Sequence, residues 1–510
     1  MMLCARACSI RALDAPCFVG VNESSSVMLR RGESFGNSEH IRCNIMREGE
    51  SSMSRFVRVR PNHSIPALAA LLLLLCCSPS FAQDLKRRGS FGVQFAPVPE
   101  AVRTKLQLAE GRGILVQGVA PGGSAADAGV IADDIILKIN GTEIRDVTQF
   151  VELARGFRAG DSVRITLLRG GQQMDKSFAL KPRPQETSPD FDILYKSVVT
   201  DGARRRVIIT RPRLSGPRPA ILFITGIGCG SQDNMPPDST LAELLYGLTR
   251  KGFVTMRVEK SGVGDSEGPP CMSPQVDLQA EVRGYVAGLK ALKDYDFVDG
   301  GNVFLYGLSI GGVDAPLVAR EVPVRGLIVA ETVSKSWNEY ELVNLRRQLL
   351  LRGRPYDEVE RLVGRKEYCN HRLYVEGETP EQIAKDAPDC AQLPSQPPAP
   401  YTYMRQVAGL NLAEAWKAID APVLVIYGTS DFLTSLDEHQ YLVDLINSFH
   451  KGRATLAAID QMDHFMARAG TMRESMQRMS DEQARDEFQP ALLERVRDWL
   501  DVILGQSLKG

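Results

Sequence analysis

The sequence Gly-Leu-Ser-Ile-Gly at residues 307–311 places a serine hydroxyl where it could act as a nucleophile. An apolar stretch typical of a strand, 302–306, precedes it, and an apolar stretch typical of a helix, 310–318, follows. At such a junction the two glycines allow a tight turn, because strand and helix approach closely there. The turn exposes the hydroxyl at a helix N-terminus, where backbone N–H groups can stabilise an oxyanion. The motif therefore predicts attack by Ser309 on a carbonyl carbon.

A serine nucleophile needs a general base, and the base needs a carboxylate that orients it. Asp431 follows the apolar segment 422–427, and His464 follows the apolar segment 454–459. Each has a structural alternative: Asp431 could cap the next helix, and His464 could be a surface histidine. Asp463 could also supply the carboxylate. The chain order serine, aspartate, histidine, with each residue after a predicted strand, favours Ser309, Asp431 and His464 as nucleophile, acid and base.

Stabilising the oxyanion requires two N–H donors. We expect one from Ile310, directly after the nucleophile, and the other from the glycine-rich loop at 226–230. In that loop Ile227 is the first choice and Gly228 the second, the alternative being a plain tight turn. The glycines at 259–268 match neither phosphate-loop pattern, and the chain has no zinc-ligand spacing such as HExxH. No metal or organic cofactor is therefore implied.

The elements that must position these residues alternate along the chain from residue 191. Two opening strands at 192–199 and 206–210 precede apolar strands that alternate with amphipathic helices. This alternation predicts an α/β fold, with a mostly parallel sheet covered by helices on both faces. Active sites in such sheets lie at the carboxyl ends of the strands. The rhythm breaks at about 333–412, which predicts a mostly helical insertion that caps the site.

With these motifs, residues 191–505 resemble an α/β-hydrolase of the esterase, thioesterase and serine-aminopeptidase group. The segment 259–268 resembles the Asp-x-Arg-Gly-x-Gly-x-Ser stretch of that family, although Glu259 and Ser261 replace its aspartate and arginine. We interpret that segment as structural support for the site. The resemblance implies the same three roles for the serine, histidine and aspartate named above. It also implies acyl transfer to water through an acyl-enzyme.

Residues 88–183 are rich in β-forming residues and glycine turns. The runs Gly-Gly-Ser-Ala-Ala-Asp-Ala-Gly at 122–129 and Asp-Ile-Ile-Leu-Lys-Ile-Asn-Gly at 134–141 resemble a PDZ domain of bacterial periplasmic serine proteases. The resemblance implies a loop that offers backbone N–H groups to the carboxylate of a protein C-terminus, formed by Ser90, Phe91, Gly92 and Val93. The alternative is a spacer or protein dock without a peptide ligand. Residues 184–190 are interpreted as a linker.

The N-terminal region has the pattern of a secretory signal peptide at 53–82. A basic segment precedes a short apolar run at 67–77, and small residues at 80 and 82 predict cleavage after Ala82. The apolar run is short for a membrane span, so no stable anchor is expected, the alternative being an uncleaved anchor. Residues 1–52 show no periodicity and are expected to be disordered or an incorrectly assigned start.

Length, charge and cysteine content bear on the number of domains, the kind of partner and the disulfide pairing. A chain of 510 residues should hold more than one domain, and a net charge of −1 without a basic stripe argues against a nucleic-acid partner. Four cysteines follow the predicted cleavage site, and in an oxidising compartment they allow three pairings. Their positions favour Cys229 with Cys271 and Cys369 with Cys390, the alternative being buried free thiols.

These observations predict a secreted or periplasmic serine hydrolase that acts on an ester or thioester. A serine peptidase of the same fold, with the PDZ domain recruiting peptide tails, is the first alternative. The second is a non-catalytic adaptor, against which the complete set of catalytic residue types argues. A closed apolar cavity under the cap would favour the ester, and a groove with a charged anchor would favour a peptide.

Overall fold

The computed structural model describes residues 85–393, 399–481 and 486–505, together with the backbone of three short antiparallel strands earlier in the chain, Cys17–Gly20, Ser26–Arg31 and Ile41–Met46. The chain divides into two compact units, 1–82 and 83–510. The predicted signal peptide lies outside the described residues, as does the predicted extension apart from those three strands. Among the described residues, no helix combines the length and apolarity needed to span a bilayer.

The first part of the second unit, up to about residue 184, is a small β-rich body with a five-strand antiparallel path in the order β7-β6-β4-β3-β2. The short strand β5 pairs with β4, and β1 pairs with β8. Strand β2 lies at the end of the path. The elements are β1 (Gly89–Ser90), β2 (Val93–Pro97), α1 (Glu100–Leu106), β3 (Ile114–Val119), α2 (Ser124–Asp127), β4 (Ile135–Ile139), β5 (Thr142–Glu143), α3 (Val147–Ala154), β6 (Ser162–Arg169), β7 (Gln172–Ala179) and β8 (Lys181–Pro182).

The rest of the unit is built on an eight-stranded sheet in the order β9-β10-β12-β11-β13-β14-β15-β16. Strands β9 and β10 form an antiparallel hairpin, and β10 pairs antiparallel with β12. All other pairs are parallel. The strands are β9 (Phe191–Thr200), β10 (Ala203–Pro212), β11 (Arg218–Ile224), β12 (Val254–Val258), β13 (Val298–Leu308), β14 (Gly326–Ala330), β15 (Val423–Gly428) and β16 (Ala454–Ile459).

Helices cover both faces of this sheet, because the central strands bury alternate side chains on opposite sides. In β11, Leu222 packs in the cluster that contains helices α5, α6 and α12, whereas Ile221 and Phe223 pack in the cluster that contains α4 and α14. The predicted α/β fold is confirmed by this architecture. The helices are α4 (Thr240–Arg250), α5 (Leu278–Asp294), α6 (Gly311–Glu321), α12 (Leu436–Phe449), α13 (Met472–Arg478) and α14 (Pro490–Ile503).

A helical insertion separates β14 from β15, where the sequence predicted a cap. A small apolar cluster joins its two long helices, α7 and α8. The insertion holds a disulfide between Cys369 and Cys390, and a second disulfide joins Cys229 and Cys271 near the sheet edge. These are the two pairings that the sequence favoured. The helices are α7 (Trp337–Leu351), α8 (Tyr356–Asn370), α9 (Pro380–Asp386), α10 (Tyr401–Ala408) and α11 (Leu412–Lys417).

Buried ion pairs connect the β-rich body to the large sheet. The Arg87 side chain, 9% exposed, donates to Asp233 at 2.5 Å and to Asp265 at 2.7 Å, and Asp265 also accepts from Arg206 at 3.0 Å. The Arg87 guanidinium also lies 4.6 Å from the centre of the Tyr195 ring. Because isolated buried charges are strongly disfavoured, these groups stabilise the fold only as a complete set.

The segment that follows the β-rich body is also held by a buried pair. Glu186 receives two hydrogen bonds from Arg257, at 3.0 and 2.8 Å, and further ones from Tyr246 and the Asn234 backbone. Burial alone would raise the pKa of Glu186, but these donors lower it overall. The segment predicted as a linker is therefore packed on the sheet.

We expect Arg87→Met to destabilise the second unit by about 3 kcal/mol, because it leaves Asp233 and Asp265 buried with one cation fewer. The unfolding midpoint in urea measures this loss. Arg164→Met is the matched control, since Arg164 forms an exposed pair with Asp175, and it should leave the midpoint nearly unchanged. Equal midpoints for the Arg87 variant and wild type would contradict the importance of the buried cluster.

Candidate active site

The backbone at Ser309 is a strained turn that only glycine neighbours permit. Ser309 has a φ of 55°, in the left-handed region, directly after β13. A Cβ atom at Gly307 would overlap the carbonyl of Gly311, and one at Gly311 would overlap the carbonyl of Ile224. The serine is therefore held at the start of α6 because strand and helix meet without side chains between them.

The structure brings the three predicted residues together. The Ser309 Oγ lies 3.1 Å from His464 Nε2, and His464 Nδ1 lies 3.0 Å from Asp431 Oδ2. Asp431 is fully buried and His464 is 7% exposed. In the neutral tautomer with a proton on Nδ1, the imidazole donates to Asp431 and accepts the hydroxyl proton of Ser309. This is the geometry by which a histidine acts as general base toward a serine.

The environment of Asp431 keeps its carboxyl group ionised. Burial raises the pKa of Asp431, but the charge and hydrogen bond of His464 oppose this, as do hydrogen bonds from Glu331 and Thr434. The net pKa lies well below its usual range. The backbone N–H groups of Leu433 and Thr434 also donate to Oδ1, at 2.6 and 3.1 Å. Asp431 can therefore stabilise a positive charge on the imidazole at neutral pH.

Asp463, the alternative acid, lies elsewhere in the network. Its Oδ1 accepts from the backbone of Phe465 and Ala467, each at 3.0 Å, and its Oδ2 accepts from the Ser475 hydroxyl at 3.0 Å. These bonds shape the loop around His464. Of the two acids considered, Asp431 is the one hydrogen-bonded to the imidazole.

A second buried acid, Glu331, was missed by the sequence reasoning. Glu331 follows β14 with a φ of 50°, and its Oε1 accepts from the Gly428 backbone at 2.6 Å. Burial raises the pKa of Glu331 well above its usual range, and the neighbouring charge of Asp431 raises it further. The protonated carboxyl can thus donate toward Asp431. An acidic residue directly after an apolar strand is the signal that could have identified it.

His439 is a fully buried histidine with a structural role. Its Nε2 accepts from the Thr332 backbone at 3.1 Å, while Nδ1 lies 2.7 Å from the Ser435 carbonyl oxygen. Burial lowers the pKa of His439 to about 4, so the ring is neutral at physiological pH. The Thr332 hydroxyl in turn donates to the Ser309 carbonyl at 2.9 Å. His439 therefore helps to fix the backbone beside the nucleophile.

The predicted oxyanion donors occupy different places. Ile310 is the N-cap residue of α6, and Ile227 lines the same cavity as Ser309. Gly228, with a φ of 109°, lines instead a small recess beside the Cys229–Cys271 disulfide. Of the two residues that the sequence offered for the second donor, the structure thus places Ile227 at the nucleophile.

The cavity at Ser309 has a volume of about 450 Å³. Most of its side chains are apolar or aromatic, and the polar ones come mainly from the insertion. A larger cleft of about 610 Å³ lies near the amino ends of β14 and β15, away from Ser309. The apolar lining of the Ser309 cavity includes Ile227, Leu308, Val333, Trp337, Leu345, Leu433, Phe465 and Met479, and the polar lining includes Glu341, Asn344, Gln348 and Lys366.

Among the described residues, one cluster has side chains that could hold a metal ion, and it consists of the acids and the histidine beside Ser309. Ligand atoms of Glu331, Asp431 and His464 lie within 4.8 Å of one another. Asp431 and His464 are hydrogen-bonded to each other, and Glu331 accepts from the Gly428 backbone. We therefore interpret the group as a hydrogen-bonded chain.

The predicted peptide-binding loop lies at the start of edge strand β2. Phe91 is buried, and its carbonyl accepts from the Ala125 backbone at 3.0 Å, while the Ser90 carbonyl accepts from the Ser124 hydroxyl at 2.6 Å. Gly92 has a φ of 71°, and Val93 begins the strand. Since β2 ends the sheet path among the described residues, its outer side can accept an added strand.

Comparison with known proteins identifies both parts. A model of the alpha/beta hydrolase family matches residues 221–479, and a PDZ domain model matches residues 89–180. Esterase EstD of Thermotoga maritima is 22% identical over 313 residues, which cover 60% of this chain and 69% of that protein. The serine protease Do-like HtrA of Lactobacillus helveticus is 31% identical over 86 residues, 16% of this chain and 21% of that protein.

Among solved structures, Est1E from Butyrivibrio proteoclasticus is 14% identical, with a TM-score of 0.39 over 61% of this chain and 99% of that chain. The hydrolase family model alone spans half of the chain. The expectation of an enzyme preceded by a PDZ domain is thereby confirmed. The chain belongs to the α/β-hydrolase family, as a serine hydrolase with an N-terminal PDZ domain.

Proposed function

We propose that this hydrolase cleaves an ester or thioester through an acyl-enzyme on Ser309, with His464 as general base and Asp431 as the orienting acid. The observation that carries the proposal is the continuous hydrogen-bond chain from hydroxyl to imidazole to carboxylate, with distances of 3.1 and 3.0 Å. Ile310 and Ile227 are proposed to donate their N–H groups to the oxyanion.

The proposed reaction has two halves. His464 Nε2 takes the hydroxyl proton as Ser309 Oγ attacks the carbonyl carbon, and the N–H donors stabilise the resulting oxyanion. The imidazolium then gives its proton to the leaving alcohol or thiol, and the acyl group stays on Ser309. In the second half, water attacks the acyl-enzyme with His464 again as the base. The ionised Asp431 stabilises the imidazolium in both halves.

The cavity favours an ester or thioester over a peptide. Its lining is mostly apolar, which suits an acyl or alcohol group without charge. The one carboxylate in the lining, Glu341, already lies 3.6 Å from Lys366 and accepts from Asn370 and Tyr374, each at 3.0 Å. A peptide amino group would have to compete with these three partners. The similarity to an esterase supports the same conclusion.

For the first domain we propose that the loop Ser90–Val93 binds the carboxylate of a protein C-terminus and that β2 accepts the peptide as an added strand. We further propose a signal peptide at 53–82 and a secreted or periplasmic location. The disulfides support an oxidising compartment. The proposed domain boundaries are 88–183, a linker at 184–190, and 191–505 with a cap at about 333–412.

We expect Ser309→Ala to lower kcat for p-nitrophenyl butyrate by at least about 10⁴-fold, because it removes the hydroxyl that is hydrogen-bonded to His464 Nε2. Release of p-nitrophenol measures the rate. Ser448→Ala, which removes an exposed hydroxyl in α12, is the control and should keep the wild-type rate. A Ser309 variant with substantial activity would refute the proposed nucleophile.

The peptidase alternative is tested by comparing two acyl substrates, an ester and a thioester, with an aminoacyl anilide. We expect kcat/KM for p-nitrophenyl butyrate or a butyryl thioester to exceed that for alanine p-nitroanilide by several orders of magnitude, because the anilide presents an amino group to an apolar cavity. Absorbance of the released products measures both rates. A preference for the aminoacyl anilide would favour the peptidase, and inertness toward all of them with no reaction at Ser309 would favour the adaptor.

The raised pKa of Glu331 predicts a pH-dependent effect on stability. A carboxyl whose pKa is raised on folding contributes most below its unfolded pKa, near 4.3, and the contribution is lost as pH rises toward the folded value. Glu331→Gln keeps a neutral donor without this loss. The thermal midpoint of the variant relative to wild type should therefore rise between pH 5 and pH 8.

Glu414→Gln provides the control, since Glu414 is exposed, and its midpoint relative to wild type should stay constant over the same range. The expectation for Glu331 is wrong if its variant follows the same flat course, because an ionised Glu331 would then be tolerated beside Asp431.

A further inference from the structure

The loop that carries Ile227 is held from inside the molecule by a buried lysine. Lys260 Nζ donates to the Gly226 carbonyl oxygen at 3.1 Å, and the lysine is only 4% exposed. The Gly226 carbonyl and the Ile227 N–H belong to the same peptide group. The lysine therefore binds one end of the group whose other end is the proposed oxyanion donor.

A trans peptide group is planar, so its C=O and N–H point in opposite directions. With the Gly226 carbonyl directed toward buried Lys260, the Ile227 N–H must point the other way. The peptide group also lies close to the nucleophile, since a Cβ placed on Gly226 would lie 3.4 Å from the Ser309 Cβ and 3.9 Å from its Oγ. Ile227 itself lines the cavity with Ser309.

We propose that Lys260 is a positioning residue for the oxyanion hole, fixing the Gly226–Ile227 peptide group so that the Ile227 N–H points at the developing oxyanion. The inference rests on the proposed function of Ser309 and adds a residue that acts through the backbone. The ammonium group also withdraws electron density from the carbonyl, which makes the N–H of the same peptide group a stronger donor in a low-dielectric site.

Neighbouring acids hold the ammonium group in place. Glu281 Oε2 lies 3.0 Å from Lys260 Nζ, and both side chains are almost fully buried. Asp314 lies in the same buried region, on the first turn of α6. Burial and the charge of Glu281 raise the pKa of Asp314 well above its usual range, against the opposing charge of Lys260, which favours the neutral form of Asp314. Lys260 and Glu281 thus form a balanced pair that keeps the lysine directed at Gly226.

The residue before Lys260 binds the far end of the same loop. Glu259 Oε1 accepts from the Ser231 hydroxyl at 2.7 Å and from the Gln232 backbone at 2.9 Å. Two consecutive residues after β12 therefore fasten the loop after β11 at both ends. This arrangement restricts rotation of the Gly226–Ile227 peptide group, as a preorganised donor requires.

The test compares Lys260→Gln and the double variant Lys260→Met/Glu281→Met with wild type. The double variant removes both charges of the buried pair, which is tolerated far better than removal of one. The double variant should keep a thermal midpoint near that of wild type, whereas Lys260→Gln, which leaves Glu281 buried without its partner, should lower the midpoint. Both variants should lose at least about tenfold in kcat for p-nitrophenyl butyrate, with KM changed less than about twofold. Lys260→Arg, which restores a cationic donor, should recover part of the loss.

Affinity for a trifluoromethyl ketone gives the readout that a merely structural role would not move. The ketone forms an oxyanion on Ser309, so its affinity should fall by the same factor as kcat. Lys293→Met is the matched control, because Lys293 also donates to a backbone carbonyl, that of Pro323, but far from the site. It should leave both quantities unchanged.

The outcomes separate the two claims. If Ser309→Ala removes activity while a folded Lys260 variant keeps wild-type kcat and ketone affinity, the role of Lys260 is refuted and the proposed function stands. A loss confined to KM would also refute it, since ground-state binding does not use the oxyanion donors. If Ser309→Ala keeps activity, the proposed function itself fails.

Discussion

Parallel strand register is the constraint on which the site depends. Strands β12, β11, β13, β14, β15 and β16 are neighbours that run in one direction, so their carboxyl ends form one edge of the sheet. Lys260, Gly226, Ser309 and Glu331 follow the first four ends, and Asp431 and His464 follow the last two. Residues up to 238 positions apart in sequence, from Gly226 to His464, meet because adjacent strands are closely spaced. The proposed chemistry is thus a consequence of strand order.

Each proposed reacting group is held by a buried neighbour that does not itself react. Glu331 and Thr434 act on Asp431, Thr332 binds the Ser309 carbonyl, and Lys260 binds the Gly226 carbonyl. Buried polar groups of this kind are stable only when their hydrogen bonds are complete. The same requirement makes the site rigid, because moving one partner would leave another unpaired. Preorganised dipoles are what stabilisation of a transition-state charge needs.

The hydrogen-bonded network continues toward the PDZ domain. Asp233 pairs with Arg87. The residue before it, Gln232, donates its backbone N–H to Glu259. The segment directly before the Ser90–Val93 loop is therefore joined to the loop whose first residues lie beside Ser309. The two domains share buried charges, and the β-rich body contributes to the packing of the hydrolase.

How far the sequence predicted this structure depends on the kind of signal each residue carries. Ser309, Asp431 and His464 could be found because a motif and three strand ends fix their places along the chain. Glu331 was missed because an acid after a strand is indistinguishable from a helix cap until β14 is known to lie beside β15. The choice between Ile227 and Gly228 depends on one backbone turn, which composition does not encode.

Lys260 lay in a segment interpreted as support, and its direction toward Gly226 depends on the pairing of β12 with β11. Arg87 carried no signal, since its partners are 146 and 178 residues away.

The central claim is that Ser309 is the nucleophile of this site, and mapping a covalent adduct tests it most directly. The protein is treated with a fluorophosphonate, digested, and examined by mass spectrometry for the modified residue. The account predicts one phosphonyl group, on the peptide that contains Ser309. It also predicts that labelling is lost when His464 is replaced by alanine. An adduct on another residue, or an unmodified protein that still hydrolyses esters, would contradict it.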